Sequence, residues 1–365
     1  MRKIKFVMWA ALMLLCLSLH AQRAKLSPTP PMGYMTWNFY ADKITENDVK
    51  SIADAMVKNG LVAIGYDHIF IDDGWQGGRD NRNNIIPDPK KFPSGIKALA
   101  DYVHSKGIKL GIYSDAAPLT CAGYTASLHF EEQDAKTFAS WGIDYLKYDY
   151  CGAPPDQETA KKRYKKMADA LTNSGRDIVF GICEWGGREP WTWGAGVGGN
   201  LWRMDGDIRD KWTADNDAPG TPKGGIGILD AASKNAALAA YAGPGGWNDP
   251  DMLVVGLYGR KGPSGDLGGI GCTDIEYQSQ MSLWCLMAAP LMISCDVNQM
   301  NKATKSILTN KAIIAIDQDR LGKQAIRKVN IDNWQVFIKP LENNAYAVGI
   351  LNSGSTARKY KVDLK

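Results

Sequence analysis

Eight short apolar segments, separated by helical patterns, constrain the fold of this chain more than any other feature of its sequence. The predicted strands are Met32–Trp37, His68–Asp72, Lys109–Ser114, Tyr145–Asp149, Ile178–Cys183, Leu201–Met204, Met252–Val255 and Leu291–Ser294. Helix-like segments lie between them; residues 94–106, for example, end at Gly107, a residue typical of helix C-termini. Such alternation predicts parallel βαβ units. Eight units favour an α/β fold, a closed (β/α)8 TIM barrel, with an open parallel sheet as the alternative.

The end of the chain has a different pattern from its main part. Residues 22–317 hold the predicted barrel. Residues 318–365 contain the strand-like segments Trp334–Ile338 and Ala345–Ile350, which are separated by turn residues. About 45 residues are too few for an ordinary β sandwich. We therefore expect the start of a C-terminal antiparallel β domain that is short or truncated.

The first 21 residues have the composition of a signal peptide. A basic start precedes the nearly unbroken apolar run Phe6–Leu19, and Ala21 offers a small residue at the predicted cleavage point. The run is short for a bilayer span, so a membrane anchor is the less favoured alternative. We expect an exported protein, periplasmic or extracellular. The absence of any Asn-x-Ser/Thr sequon favours a bacterial source.

Charge and cysteine content disfavour several classes of partner. The formal net charge is +4, and removal of residues 1–21 takes away three basic residues and leaves +1. A nearly neutral chain is not typical of proteins that bind nucleic acids or anionic membranes. The cysteines beyond residue 21 include no C-x-x-C pair, so we expect no metal site and no cofactor, whereas export permits a disulfide.

The segment Lys147-Tyr148-Asp149 ends one predicted strand. Residues i and i+2 of a strand point the same way, so Lys147 and Asp149 both face the mouth of a barrel. A nearby ammonium group favours an ionised carboxylate, which is what a nucleophile requires. A buried ion pair that merely closes the strand is the structural alternative.

Two adjacent carboxylates, Asp72 and Asp73, follow another predicted strand. Adjacent acids repel each other, so their presence at a strand end suggests a ligand with many hydroxyl donors. Trp75 follows them, and an aromatic ring beside acids is suited to the apolar face of a sugar. A metal-binding or solvated acidic turn is the alternative.

A third acidic segment, Arg203-Met204-Asp205-Gly206-Asp207, supplies a second carboxyl group beside an arginine. Acids at a helix N-terminus are the structural alternative, and the residues alone do not separate Asp205 from Asp207. Retaining glycosidases need two carboxyl groups, one to attack and one to transfer a proton. The strand ends of one barrel can supply that pair. The residues therefore predict a barrel glycosidase, and they do not identify the sugar that it cleaves.

The ordered motifs of the chain resemble those of glycoside hydrolase family 27, which includes α-galactosidases and α-N-acetylgalactosaminidases. The resemblance runs from Thr29 to Gln324, nearly the whole predicted barrel. The motifs are Thr29–Gly33, Ile71–Trp75, Leu110–Asp115, Leu146–Cys151, Cys183–Gly186, Gly245–Met252, Ala288–Leu291 and Asp317–Gln324.

The resemblance implies a retaining double displacement and assigns a role to each site residue. Asp149 falls at the nucleophile and Asp207 at the acid/base, which decides against Asp205. Cys121 and Cys151 match a disulfide with one sulfur beside the nucleophile. The implied substrate-binding residues are Asp72 and Asp73 at O4 and O6, Lys147 at O3, Glu184 and Arg203 near O2, Trp37 and Tyr113 along the pocket, and Asp251 as a supporting carboxylate.

The same resemblance narrows the sugar to a terminal α-D-galactosyl residue of an oligosaccharide or polysaccharide. Relatives that accept a 2-acetamido group have a small residue in place of Glu184, so Glu184 should exclude N-acetylgalactosamine. The presence of both Asp72 and Asp73 favours a sugar with an O6 over β-L-arabinopyranose. Both sugars stay as alternatives within the family, and a non-catalytic carbohydrate-binding protein is the alternative of a different class.

Overall fold

A ring of eight parallel strands forms the centre of the protein. The computed structural model describes residues 25–215, 224–259, 262–265 and 269–361, so the predicted signal peptide lies outside the described residues. Numbered along the chain, the strands are β1 Met32–Met35, β2 His68–Phe70, β3 Gln76–Arg79, β4 Ile85–Pro87, β5 Lys109–Asp115, β6 Tyr145–Asp149, β7 Val179–Ile182, β8 Leu201–Arg203, β9 Trp247–Asp249, β10 Leu291–Ile293, β11 Ile326–Ile331, β12 Trp334–Pro340 and β13 Tyr346–Asn352.

The strand order closes the sheet into a barrel. Neighbours follow the order β10-β1-β2-β5-β6-β7-β8-β9, and every pair is parallel. After β9, Leu253 forms a parallel bridge with Ile293 of β10, and its amide donates to the Met292 carbonyl at 2.7 Å. The predicted (β/α)8 barrel is therefore confirmed.

Helices follow the strands and cover the outside of the ring. Several begin at a side-chain cap; Thr45 and Asp48 form a capping box, and Asp156 accepts the amide hydrogen of Thr159 at 2.8 Å. The α-helices are Trp37–Tyr40, Glu46–Lys58, Gly95–Ser105, Glu131–Trp141, Gln157–Thr172, Pro190–Val197, Ile228–Ala236, Asp274–Leu286, Lys302–Leu308 and Lys311–Asp317, and short 3-10 helices are Ala41–Lys43, Val62–Ile64, Ala239–Tyr241 and Glu342–Asn344.

The predicted strand Met252–Val255 is wrong as one of the eight barrel strands, since only Leu253 pairs, through its single bridge to Ile293. The seventh strand of the barrel is β9, five residues earlier, which pairs with β8. Its Asn248 is buried, accepts from Trp202 Nε1 at 2.7 Å and donates to the Leu238 carbonyl at 2.8 Å. Only the folded chain brings these hydrogen-bond partners to Asn248. Because they satisfy its buried amide group, a polar residue can occupy a barrel strand.

A three-stranded antiparallel sheet, β11-β12-β13, follows the barrel. It packs on the helix Asp274–Leu286, where Gly349 lies against Leu286 and the buried Lys339 donates to the Cys285 carbonyl at 2.9 Å. The predicted C-terminal antiparallel strands are confirmed, and the proposed boundary at residue 318 stays a prediction. Among the described residues, no helix has the length and apolar character needed to cross a bilayer.

The barrel interior leaves no space for a side chain at Gly111. A methyl group there would collide with the buried ring of Phe70, which is itself packed edge-on against Tyr145. We expect Gly111→Ala to lower the free energy of unfolding by about 1–3 kcal/mol, measurable as a lower thermal midpoint.

Gly196 provides the matched control, because it lies in the helix Pro190–Val197, and no atom of the described residues comes within 4 Å of a methyl group added there. Gly196→Ala should leave the midpoint unchanged or raise it. Equal losses in both variants would contradict this description of the barrel interior.

Candidate active site

Asp149 lies at the C-terminal end of β6, where the strand ends face the mouth of the barrel. Its side chain is 4% exposed, and it accepts the Tyr113 hydroxyl at 3.1 Å and the Tyr150 amide at 2.9 Å. Burial raises the pKa of Asp149 to about 6; Lys147 opposes the shift, and the negative charge of Asp207 adds to it. Asp149 is thus a buried carboxyl group whose proton is lost near pH 6.

Lys147 links β6 to the residues that follow β2. Its ammonium group lies 2.8 Å from Asp72 Oδ2 and 5.3 Å from the centre of the Tyr113 ring. Burial disfavours the charged lysine, but Asp72 and the other acidic groups around it together outweigh that effect, and the pKa of Lys147 is raised. The backbone of Asp72 is fixed as well, because its amide donates to Thr36 Oγ1 at 3.0 Å. A permanent cation therefore lies among the acids of the site.

Asp73 presents a free acceptor. Its Oδ2 accepts the Ala122 amide at 2.8 Å, whereas its buried Oδ1 has no hydrogen-bond partner among the described residues. Burial raises the pKa of Asp73 to about 6, and the charge of Asp72 adds to the rise. A buried oxygen that accepts no hydrogen bond is energetically unfavourable. A ligand hydroxyl that donates to Oδ1 would remove this cost.

The predicted disulfide between Cys121 and Cys151 is present, and it holds two loops of the site together. Its Cα atoms are 5.1 Å apart, a separation that disulfides normally have. The Tyr113 hydroxyl, which contacts Asp149, also lies 3.2 Å from Cys121 Sγ. Both sulfurs and the carboxyl groups of Asp115 and Asp149 lie within 4.8 Å of one another. This group does not suit a metal, because the sulfurs are bonded to each other.

Arg203, at the end of β8, holds the second pair of carboxylates. The buried guanidinium contacts Asp207 at 3.0 Å and Asp251 at 3.1 Å. Partial burial opposes ionisation of Asp207, but Arg203 and Lys147 hold its pKa below the ordinary range. The Asp207 side chain is 46% exposed, whereas Asp251 is buried and accepts the Ile208 amide at 2.9 Å. Asp207 is therefore the carboxylate of this pair that solvent and ligands can reach.

Glu184 is placed differently from a residue that simply lines a pocket. It is fully buried, and its two oxygens accept the Arg188 amide at 3.1 Å and the Arg188 guanidinium at 2.8 Å. Arg188 in turn lies over the Tyr150 ring at 4.5 Å. Burial raises the pKa of Glu184, against the effect of Arg188. Trp37, at the start of the helix Trp37–Tyr40, is partly exposed.

Sequence patterns were a poor guide to Trp75 and to the supporting groups. Trp75 is fully buried, donates to the Tyr113 carbonyl at 2.9 Å and packs on Phe138 and Trp141, so its ring is not available to a sugar. The Ala122 amide and the Arg188 side chain, which support Asp73 and Glu184, come from loops that carry no strand or helix signal.

Comparisons with known proteins agree with this arrangement. Residues 29–319 match the family model described as alpha galactosidase A. The chain is 44% identical to alpha-galactosidase A of Cellvibrio japonicus, covering 93% of this chain and 80% of that protein. It is 47% identical to alpha-galactosidase 2 of Arabidopsis thaliana, over 91% of this chain and 77% of that protein.

A solved structure shows the same fold. The alpha-galactosidase of Saccharomyces cerevisiae, solved with raffinose, superposes with a TM-score of 0.83 at 35% identity, covering 92% of this chain and 76% of that one.

The raised pKa of Asp149 predicts a pH-dependent gain in stability on its replacement. The folded chain favours the protonated carboxyl, so stability is full below the unfolded pKa and falls as the pH rises through about 6. Asp149→Asn removes this loss. We expect it to raise the free energy of unfolding by about 1–3 kcal/mol at pH 7.5 and by much less at pH 4.5, followed by thermal unfolding at both values.

The exposed Asp101, which pairs with Lys97 on the surface of a helix, is the control. Asp101→Asn should change stability little at either pH. A gain for Asp149→Asn that is equal at pH 4.5 and pH 7.5 would contradict the raised pKa.

Proposed function

Because the chain belongs to the alpha-galactosidase A family, we propose that it is a retaining exo-glycosidase that hydrolyses terminal α-D-galactosyl residues of galactosides. The observation that carries this proposal is the pair of carboxyl groups Asp149 and Asp207 at the barrel mouth, where the charge of Asp207 adds to the raised pKa of the buried Asp149. A carbohydrate-binding protein needs no such pair, whereas a double displacement needs one group to attack and one to transfer a proton.

Asp149 is suited to the attack. Its Oδ2 is directed by the Tyr113 hydroxyl, and its Oδ1 is held by the Tyr150 amide, so the carboxylate has a fixed orientation. In the first step an Asp149 oxygen bonds to the anomeric carbon while the glycosidic oxygen leaves with a proton from Asp207. In the second step water loses a proton to Asp207 and displaces Asp149, which restores the original configuration.

The contact with Arg203 suits Asp207 to the second step. A base must be ionised once the sugar is bound to Asp149, and Arg203 stabilises the ionised form. For the first step the two carboxyl groups must hold one proton between them. Burial raises the pKa of Asp149, so the pair keeps this proton up to about pH 6. The first step uses the state in which the shared proton lies on the exposed Asp207, which passes it to the departing oxygen, while Asp149 is the anion.

The walls of the site support a galactose ring. Asp72, Asp73 and Lys147 form one polar edge, where Asp73 Oδ1, which has no partner in the described part of the chain, can accept a hydrogen from a sugar hydroxyl. The two aspartates can accept hydrogen bonds and the lysine can donate them, so this edge can bind adjacent hydroxyl groups on one face of a sugar. The yeast relative solved with raffinose binds a sugar of this class. Glu184, held by Arg188, supports preference for a free 2-hydroxyl over a 2-acetamido group.

Rates on three 4-nitrophenyl glycosides test the sugar. We expect the α-D-galactopyranoside to be cleaved far faster than the β-L-arabinopyranoside or the α-N-acetylgalactosaminide. If either of the other two glycosides were cleaved fastest, the proposed mechanism would stand and the proposed preference for galactose would be wrong. A folded protein that binds galactose but cleaves none of the three would support the binding-protein alternative.

Replacement of each carboxylate should give a distinct kinetic result. Asp149→Ala should lower kcat by about 10⁴-fold or more while sugar binding stays measurable. Asp207→Ala should lower kcat by about 10²–10⁴-fold, and azide should restore turnover and yield a galactosyl azide of retained configuration.

Asp205→Ala is the matched control, because the Asp205 side chain contacts Gly206 and Lys234, and only its backbone carbonyl, which the substitution keeps, accepts from Arg203. It should retain most activity. Loss of azide rescue in Asp207→Ala, together with rescue in Asp205→Ala, would reverse the assignment.

The shared proton predicts an acidic optimum. We expect kcat/KM to fall as the pH rises through about 6, because the pair then loses the proton that the first step requires. A rate profile from pH 3 to 9 measures this limb, and a plateau that extends above pH 8 would contradict it.

We also propose that the protein is exported from a bacterial cell. The basic start and apolar run of residues 1–21 support this location, and so does the disulfide between Cys121 and Cys151. N-terminal sequencing of the secreted protein would test it; a chain that keeps residues 1–21 in the cytoplasm would overturn it.

A further inference from the structure

Asp115 is a buried carboxyl group beside the nucleophile that has no part in the proposed chemistry. It ends β5 and lies opposite Asp149 in the register of β5 and β6. Its side chain is completely buried. One oxygen, Oδ2, accepts the amide hydrogen of Cys151 at 2.9 Å, and the other, Oδ1, has no hydrogen-bond partner among the described residues.

The surroundings of Asp115 are unfavourable for a second negative charge. Its carboxyl group lies within 4.8 Å of that of Asp149, and Asp73 adds a further anion nearby. In the described part of the chain no lysine or arginine pairs with it; Arg163, from the helix packed behind, donates to the Ala116 carbonyl at 2.6 Å instead. A buried carboxylate without a cation is normally protonated.

We propose that Asp115 acts as a neutral carboxylic acid and as a positioning residue, which holds Cys151 and its disulfide against Asp149 and leaves Asp149 as the anion of the pair. The kinetic effects expected for Asp115 variants rest on the proposed function; the protonation of Asp115 does not. Burial, followed by the charge of Asp149, raises the pKa of Asp115 to about 9, although the Cys151 amide favours the ionised form. The direction agrees with the geometry.

Position and charge make separate contributions in this proposal. The acceptor oxygen fixes the Cys151 amide, and through the disulfide it fixes Cys121, whose sulfur contacts the Tyr113 hydroxyl that directs Asp149. The proton keeps the second acid uncharged, so Asp149 can ionise without a like charge beside it. An amide side chain would supply the same acceptor and the same neutrality.

Two substitutions separate this role from a merely structural one. Asp115→Asn should keep kcat within about threefold of wild type, and kcat/KM should still fall as the pH rises through about 6, because a neutral amide replaces a neutral acid. Asp115→Ala should lower kcat by about 10-fold or more, since the acceptor is lost and Asp149 is less well held. A shift of this fall in kcat/KM by about one pH unit or more in Asp115→Asn, or full activity in Asp115→Ala, would overturn the proposal.

An infrared measurement tests the protonation without turnover, so failure of the proposed function would be recognised separately. Asp317 is a second buried acid, and burial raises its pKa to about 8, so the band of Asp115 is read from the difference between the wild-type and Asp115→Asn spectra. At pH 7.5 this difference should contain the carbonyl stretch of a protonated acid, and the band should disappear only as the pH rises through about 9. Asp67→Asn is the control: although burial opposes ionisation of Asp67, His68 and Lys109 hold its pKa well below the ordinary range, so the substitution should remove no such band. Absence of the band from the wild-type minus Asp115→Asn difference would refute a neutral Asp115.

Discussion

The ion pair between Lys147 and Asp72 is the interaction on which the rest of the site depends. It joins the end of β6 to the segment after β2, at 2.8 Å and largely away from solvent. Removing one partner of a buried pair leaves an uncompensated charge, which is far less favourable than the pair itself. Lys147 also offsets the burial of Asp149 and Asp207. One cation therefore permits several acids to share the mouth of the barrel.

Acids outnumber cations in this pocket, and that imbalance explains its chemistry. Lys147 and Arg203 face a larger set of carboxyl groups, so not every acid can be ionised at once. Asp73 and Asp115, which have no close cation among the described residues, keep their protons to higher pH, whereas Asp207, beside Arg203, loses its proton early. The barrel thus distributes protons among similar side chains by placing cations. This distribution is what lets one aspartate attack while another transfers protons.

The fold and much of the site could be predicted because strand ends follow a local pattern. An apolar run that ends in an acid, such as Tyr145–Asp149, specifies both the strand and the side of the barrel on which the acid lies. The prediction failed where partners come from distant residues. Asn248 lies outside the predicted strands, yet hydrogen bonds with Trp202 and Leu238 hold it inside β9. Trp75 follows two acids, yet Phe138 and Trp141 enclose it in the core.

The sequence alone determined the order of strands and helices, the acids at the barrel mouth and the family resemblance, because these depend on residue types at fixed spacings. Only the tertiary structure decided which acids hold protons. That property depends on burial and on the distance to each cation, and it separates Asp115 from Asp149 although both end neighbouring strands. It also decided that Glu184 binds Arg188. Chemically identical carboxyl groups acquire different roles only when folding has set their surroundings.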